Sequence, residues 1–542
     1  MAGTPGADPK GPRCWTGVTG SAVSGTLSRL AVMMLAGVVS LVAQSSSRER
    51  MRAELEFLCA PPLEGRVSLS RGADTTAWFV ATEMRKAGLQ PASGDSFLQR
   101  VDLVPLRLDR DRSTIVVRRE GSEQHFPPSA VFFPDPTRAV DLDLEVVFAG
   151  YGITAPEFGY DDYAAVDARG KAVLIFDHEP QEDDPQSAFH GTGFTLHANA
   201  WTKTRNAERH GASAVLLATE PRNRHRSAPR APDRANAPAQ ALAQSALGIP
   251  RFAIPPEALP ALLEGTGRTP GEWQAAIDGT RRPDSRVLPG VRVTLRAVNG
   301  DTTVSPSWNV AGLLPGSDPA LGDETILVTS HYDHLGVQRG LLYPGANDNA
   351  SGTIAMLEVA RALAADRPAR SVLFVSFGSE EQLMLGSYYY VAHPLRPLAT
   401  TRAVLNLDMV GRNEAHTPES SGAYEVTAGR PDQLNVVGGV FSPDLDAVLA
   451  QGAARTGMTL SDKFDRDSSM RTLFRCDHLP FLQHGIPAVW LFGGFHPGYH
   501  EPADTVDLVD MDKLERVVAL TVHAVRALGA HDAPAPRFRY AQ

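Results

Sequence analysis

Cysteine is scarce: Cys14, Cys59 and Cys476 are the three thiols in 542 residues, and none belongs to a CxxC. Disulfide frameworks and thiolate zinc sites both need grouped cysteines, so any metal here has to be held by His, Asp and Glu. Positive charge is also in deficit, with 52 Lys and Arg against 62 Asp and Glu for a formal charge of −10. No stretch gathers basic residues into a stripe, which argues against a nucleic-acid partner. The longest apolar run, Leu30 to Val42, falls short of the roughly 20 residues of a comfortable membrane span. Internal repeats are absent, and no Ser-His-Asp arrangement is visible to suggest a covalent acyl intermediate.

Hydrophobic content of 43% and charged content of 21% describe an ordinary globular protein. The length exceeds one core and implies two or three domains. Lys10, Arg13 and Arg29 precede the apolar run LAVMMLAGVVSLV, and Ala43-Gln44-Ser45 follows it. That order of basic, apolar and small residues describes a secretory leader over residues 1–45, hence an exported protein, periplasmic or extracellular; a short uncleaved anchor is the alternative.

From Arg48 to Leu58 and from Asp74 to Ala87 apolar residues recur at helical spacing, and Phe97 to Val104 reads as a strand. Residues 46–104 are thus expected to begin an α/β domain. Residues 105–299 have a different texture, with short β-type runs at Glu145–Phe148, Lys171–Phe176 and Ser213–Ala218, many prolines, and an Arg/Ala/Pro-rich loop from Arg222 to Ala239. An inserted β-rich domain is the simplest account, and its His190, His197 and His210 read as surface residues. The strand–helix rhythm resumes over 300–530, at Trp308–Leu314, Ser371–Phe377, Ala403–Leu407 and Ile486–Phe492, before a closing helix Met511–Leu528 and a loose tail, 531–542. Such alternation predicts a mainly parallel central sheet with helices on both faces.

The chemistry sits where those strands end. Thr325–Ser330 (TILVTS) reads as a buried strand delivering His331 at its C-terminal end, and Asp333 lies on the same face, placed to orient the imidazole. Asp348 falls in the turn-rich loop before a helix that starts near Ser351. Glu380 and Glu381 follow the strand ending at Phe377; adjacent side chains diverge, so one can coordinate while the other faces a reacting water. Asp408 ends the next strand, and His496 and His500 follow the strand ending at Phe492. Four acid or histidine signals after four strands describe a site built from the C-terminal ends of a doubly wound sheet. Oxygen and nitrogen donors without thiolate suit zinc in an open site, though manganese or cobalt would also fit.

HYDHLG, PGANDNASG, FGSEE followed by LGS, NLDMVGR and YHEPADT, in this order, resemble the M28 family of co-catalytic zinc aminopeptidases and related metallopeptidases. Val146 to Ile175 resembles the protease-associated domain that many members carry, which would make 105–299 that inserted domain and 300–530, with 46–104, the zinc-exopeptidase-like catalytic domain. Carried over residue by residue, the resemblance implies two zinc ions per chain bridged by Asp348. One ion would add His331 and Asp408, the other Glu381 and His500. Glu380 would be the general base and Asp333 the partner of His331, while His496 would be a bystander. Some relatives have a cis peptide at the position of Asp348-Asn349. Asn347, Leu383 and Cys476 depart from residues common in the family, which puts specificity in question before activity.

The function expected on these grounds is an exported dizinc exopeptidase acting on peptides or small proteins, foremost an aminopeptidase. A carboxypeptidase or dipeptidase on the same site is the alternative and would need Arg339 or Arg412 to hold a free carboxylate. A single-zinc glutaminyl cyclase and a catalytically silent receptor-like binding protein are weaker alternatives, because the full ligand set and Glu380 are present.

Overall fold

Runs of β-branched and apolar residues place Ser371–Phe377, Thr325–His331, Thr401–Leu407 and Ala488–Phe492 side by side, in that order, as parallel strands at the centre of a ten-stranded sheet. These coordinates are a computed structural model describing residues 47–222, 239–418, 420 and 424–540. The expected leader, with its apolar run Leu30–Val42, and residues 223–238 of the Arg/Ala/Pro-rich loop lie outside the described residues.

Side chains alternate across this sheet. Ile326, Val328, Phe374, Leu405 and Leu491 pack on one face against the helices Arg71–Lys86, Gly352–Ala364, Pro443–Thr456 and Met511–Leu528. Leu327, Leu373, Val375, Val404 and Trp490 point the other way, towards Leu385–Ala392 and Leu479–Leu482. Each fully buried Leu, Val or Phe stabilises this layering by about 1.5–3 kcal/mol relative to exposure. Ser70 caps the first of these helices, accepting the Ala73 N–H at 3.1 Å.

Outside its centre most pairings of the sheet are antiparallel, although Gln433–Val437 and Thr459–Ser461 pair in parallel at one edge. Ser305–Leu314 runs against Ser371–Phe377 and Leu98–Leu106, and Gln433–Val437 runs against Ala488–Phe492. Parallel neighbours need a crossover, which the helices Gly352–Ala364 and Leu385–Ala392 supply between the central strands and Pro443–Thr456 supplies for the edge pair.

A second, eight-stranded sheet takes its strands from residues 114–297, with Arg286–Ala297, Val140–Phe148, Ala172–Phe176 and Ala214–Ala218 adjacent at its middle. It has its own core around Phe148, Phe176, Trp273 and Leu295. The stretch 105–299 is not wholly separate, however. Ala239–Leu242 pairs antiparallel with Leu98–Leu106 at the edge of the first sheet, and Thr192 Oγ1 donates to the Arg466 carbonyl at 2.8 Å. The histidines expected on its surface, His190, His197 and His210, are half-buried: His197 Nε2 meets Glu157 Oε1 at 2.7 Å, and His210 stacks on Tyr163 at 4.1 Å. Among the described residues no helix is long and apolar enough to cross a membrane.

Candidate metal centre

In-register pairing sets the strand ends at one level, with His331 opposite Phe377 and Leu407 opposite Leu491. The segments leaving those ends therefore converge. Asp348 lies between two groups of donors. His331 Nε2 is 3.5 Å from Asp348 Oδ1 and 3.3 Å from Asp408 Oδ1. On the opposite side His500 Nε2 is 2.8 Å from Asp348 Oδ2 and 3.1 Å from Glu381 Oε1. Glu380 Oε2 faces the first group, 3.9 Å from His331 Nε2. His331, Asp333, Asp348, Glu380 and Asp408 are all buried.

Backbone geometry holds these side chains apart from their natural alternatives. Residues 346–351 form one wide helical turn interrupted at Asp348 and Asn349, whose connecting peptide is cis. Asp504 Oδ2 accepts the N–H groups of Asn347 and Asp348 at 2.9 and 3.0 Å, tying the Asp348 loop to the segment that carries His500. Asn347 accepts the Gly411 N–H through Oδ1 at 2.8 Å and donates through Nδ2 to His496 Nε2 at 2.9 Å. An aspartate at 347 would lose that donor, and His496 is placed as a support for this loop.

Asp333 does more than contact the His331 imidazole. Its carboxylate accepts the amide N–H of Glu380 at 3.0 Å and of Glu381 at 3.3 Å. His331 Nδ1 lies 3.7 Å from the carboxylate and 3.2 Å from the Asp333 carbonyl, which takes the hydrogen bond. Asp333 thereby fixes the glutamate loop as well as the histidine. Cys476, fully buried, donates from Sγ to Asp408 Oδ2 at 2.9 Å, so it lies behind a carboxylate rather than on a substrate wall.

Three residues carry parts of the site that the sequence did not assign. His334 Nδ1 is 2.8 Å from Glu381 Oε1 and 3.9 Å from Asp348 Oδ2, although its place in HYDHLG, three residues after His331, was a visible signal. Arg66, fully buried, donates to the carbonyls of Leu58, Tyr332, Pro344 and Gly345 and so joins the two ligand loops. Asp504 is the third.

The electrostatics call for a cation. Burial, then the neighbouring Glu381, pushes the Asp348 carboxyl well above the usual range, and burial does the same to Glu380. For His331, burial lowers the pKa, but the carboxylates of Asp408 and Glu380 outweigh it and raise the pKa well above the ordinary value. Burial pushes His334 down to about 4, leaving a neutral ring. His331 Nε2, His334 Nδ1 and Asp408 Oδ1 are buried without hydrogen-bond partners. Buried polar atoms rarely stay unsatisfied, and imidazole and carboxylate donors turned towards each other are what a zinc ion satisfies. Among the described residues three such groups converge: His331, Asp348 and Asp408; His334, Asp348, Glu381 and His500; and, in the second sheet's lobe, His178, Glu182 and Glu220.

The profile of Peptidase family M28 matches residues 309–525. Aminopeptidase YwaD of Bacillus subtilis is 27% identical over 386 residues, covering 69% of this chain and 67% of that protein. The uncharacterized protein YfbL of Escherichia coli is 31% identical over 253 residues, 43% of this chain and 74% of that protein. Among solved structures, BSAP, a zinc aminopeptidase from Bacillus subtilis, aligns at 22% identity with a TM-score of 0.43, over 91% of this chain and 98% of that one.

Proposed function

The chain belongs to peptidase family M28, and from that premise we propose that it is a two-zinc exopeptidase, an aminopeptidase releasing residues from the free N-terminus of peptides. The observation that carries this reading is the pair of donor groups sharing Asp348, with Glu380 beside them at the mouth of the parallel strands. His331, Asp348 and Asp408 would hold one ion, and Asp348, Glu381 and His500 the other. Bound there, the two ions would lower the pKa of a water and polarise the scissile carbonyl. Glu380 takes the proton of that water and delivers it to the leaving amine. Asp333 holds the Glu380 amide, so the base and its neighbouring ligand are positioned together.

Aminopeptidase is favoured over carboxypeptidase by the two arginines. Arg412 Nη1 is turned to Asp504 Oδ1 at 3.7 Å behind the bridging loop, and Arg339 stands exposed in the hairpin of residues 336–343. The order of basic, apolar and small residues ahead of Ser46 supports export, and Val146 to Ile175 supports a protease-associated character for the second lobe.

Zinc content and hydrolysis of aminoacyl, N-blocked and dipeptide substrates test this reading. Glu380→Gln should keep the parent's two zinc ions and lower kcat by about 10²–10⁴-fold, with the parent cleaving only free-amine substrates. Cleavage of N-blocked substrates bearing a free carboxylate would move the assignment to carboxypeptidase.

A further inference from the structure

The two halves of the centre are unequal. The group containing His331 offers three side chains, whereas the one containing Glu381 offers four, with His334 as the added member, all donor atoms lying within 4.8 Å of one another. His334 Nδ1 lies 2.8 Å from Glu381 Oε1 and 3.9 Å from Asp348 Oδ2, and His500 Nε2 lies 2.8 Å from Asp348 Oδ2 and 3.1 Å from Glu381 Oε1. Ligands about 2.0–2.1 Å from a tetrahedral zinc stand about 3.3 Å apart, so the set has the right size for one ion.

His334 is also built into place rather than resting there. Its ring fills the space where a Cβ on Gly345 would come within 2.5 Å of His334 Cγ, and Gly345 itself adopts φ +57, a conformation that favours glycine. The His334 N–H donates to the Arg66 carbonyl at 3.3 Å, while the Arg66 guanidinium holds Gly345 O at 2.9 Å. Backbone and packing on both sides therefore aim Nδ1 at Glu381, and the buried nitrogen makes no hydrogen bond in that direction.

We propose that His334 is a fourth protein ligand, through Nδ1, of the ion held by Asp348, Glu381 and His500. The inference rests on the two-zinc reading above. It makes that ion coordinatively filled by the protein, a holding site, and leaves the ion at His331 and Asp408 with the open position that catalytic zinc requires. The first ion would then be retained when the second is stripped.

The test is metal retention in graded chelator, together with the visible spectrum of the first equivalent of cobalt, for the parent, His334→Ala and His334→Asn. The parent should lose its two zinc ions in separate steps. His334→Ala should weaken the tighter step by more than about 100-fold, above the roughly 10–100-fold that loss of an outer hydrogen-bond partner costs, and should change the spectrum of the first cobalt only. His334→Asn, which keeps a donor atom near the Nδ1 position, should fall between the two and covers the case in which alanine fails to fold. Unchanged stepwise retention and an unchanged first-cobalt spectrum in both variants would overturn the proposal and leave His334 a hydrogen-bond donor to Glu381. Equal weakening of both steps would overturn it too. A parent that takes up less than one zinc would instead sink the two-zinc reading on which it stands.

Discussion

Two buried clusters of charge, one in each lobe, invite comparison. At the mouth of the first sheet His331 Nε2, His334 Nδ1 and Asp408 Oδ1 find no hydrogen-bond partner among the described residues. In the second lobe Asp162 accepts the N–H groups of Tyr151 and Ile153, each at 3.0 Å, and the Tyr160 hydroxyl at 2.9 Å. Glu179 accepts the N–H of Thr195 at 2.9 Å and its hydroxyl as well. Lys203, buried among Asp162, Asp177, Glu179 and Glu220, donates to the Tyr151 carbonyl. His178 Nδ1 meets Glu220 Oε1 at 2.7 Å. Both clusters are dense in ionisable groups, but the first leaves several metal-type donors unmet, whereas the carboxylates and lysine of the second are met by one another and by amide and hydroxyl groups, with Glu220 Oε2 left over. Burial and charge alone therefore do not mark a ligand site; unmet coordination does.

The sharpest break of this contrast would be metal in the wrong lobe. Asp348→Ala should abolish hydrolysis and leave no zinc on the desalted protein, because both proposed ions would lose the ligand they share. One retained equivalent that vanishes on adding Glu220→Gln would erase the distinction, since Glu220 Oε2 is the acceptor in the second cluster that lacks a hydrogen bond.

Lys203→Met removes the cation that the second cluster depends on. Breaking a buried pair by deleting one partner costs about 3–5 kcal/mol, so denaturant unfolding should reveal a loss of that order while activity per folded molecule is kept. A loss under about 1 kcal/mol would mean the carboxylates there are protonated and need no counter-charge.

Asp465 lies between the two cases, a buried carboxylate met by the N–H groups of Gly438 and Val440 at 2.7 and 3.2 Å. Burial raises its pKa to about 7. The folded state then binds more protons than the unfolded one between about pH 4 and 7, so this group's contribution to stability falls as pH rises through that window, by at most about 1.4 kcal/mol per unit. Denaturant midpoints over that window should decline with pH more steeply in the parent than in Asp465→Asn; parallel profiles would remove Asp465 as the cause.

The smallest effect is expected at Cys476. Cys476→Ser keeps a donor to Asp408 and should retain near-parent kcat, whereas Cys476→Ala should lower it less than about tenfold, the worth of one hydrogen bond of about 1 kcal/mol. Identical kinetics in both variants would show that Asp408 needs no such support.

Much of the first sheet was legible in the residues. Ser371–Phe377 was read to the residue, because a strand buried on both faces is written as a continuous apolar run, and the acids or histidines after Phe377, Leu407 and Phe492 marked the mouth. What the sequence hid were contacts between distant segments. Arg66 precedes the loop it holds by 278 residues, and nothing local distinguishes its guanidinium from a solvated one. Asp333 and Asp504 are ordinary acids until the fold brings amide N–H groups to them. The return of Ala239–Leu242 to the first sheet was equally invisible, since a short edge strand has no periodicity of its own.

By itself, then, the sequence determined which donors were available and on which strand ends they fall, because two-residue periodicity and hydrophobic run length are local properties of the chain. Only the tertiary structure decided which donors face one another, that His334 joins Glu381 and His500, and that Asp333 grips the glutamate loop. Distances between segments tens to hundreds of residues apart arise from packing and hydrogen bonding of the whole fold, and no local pattern encodes them.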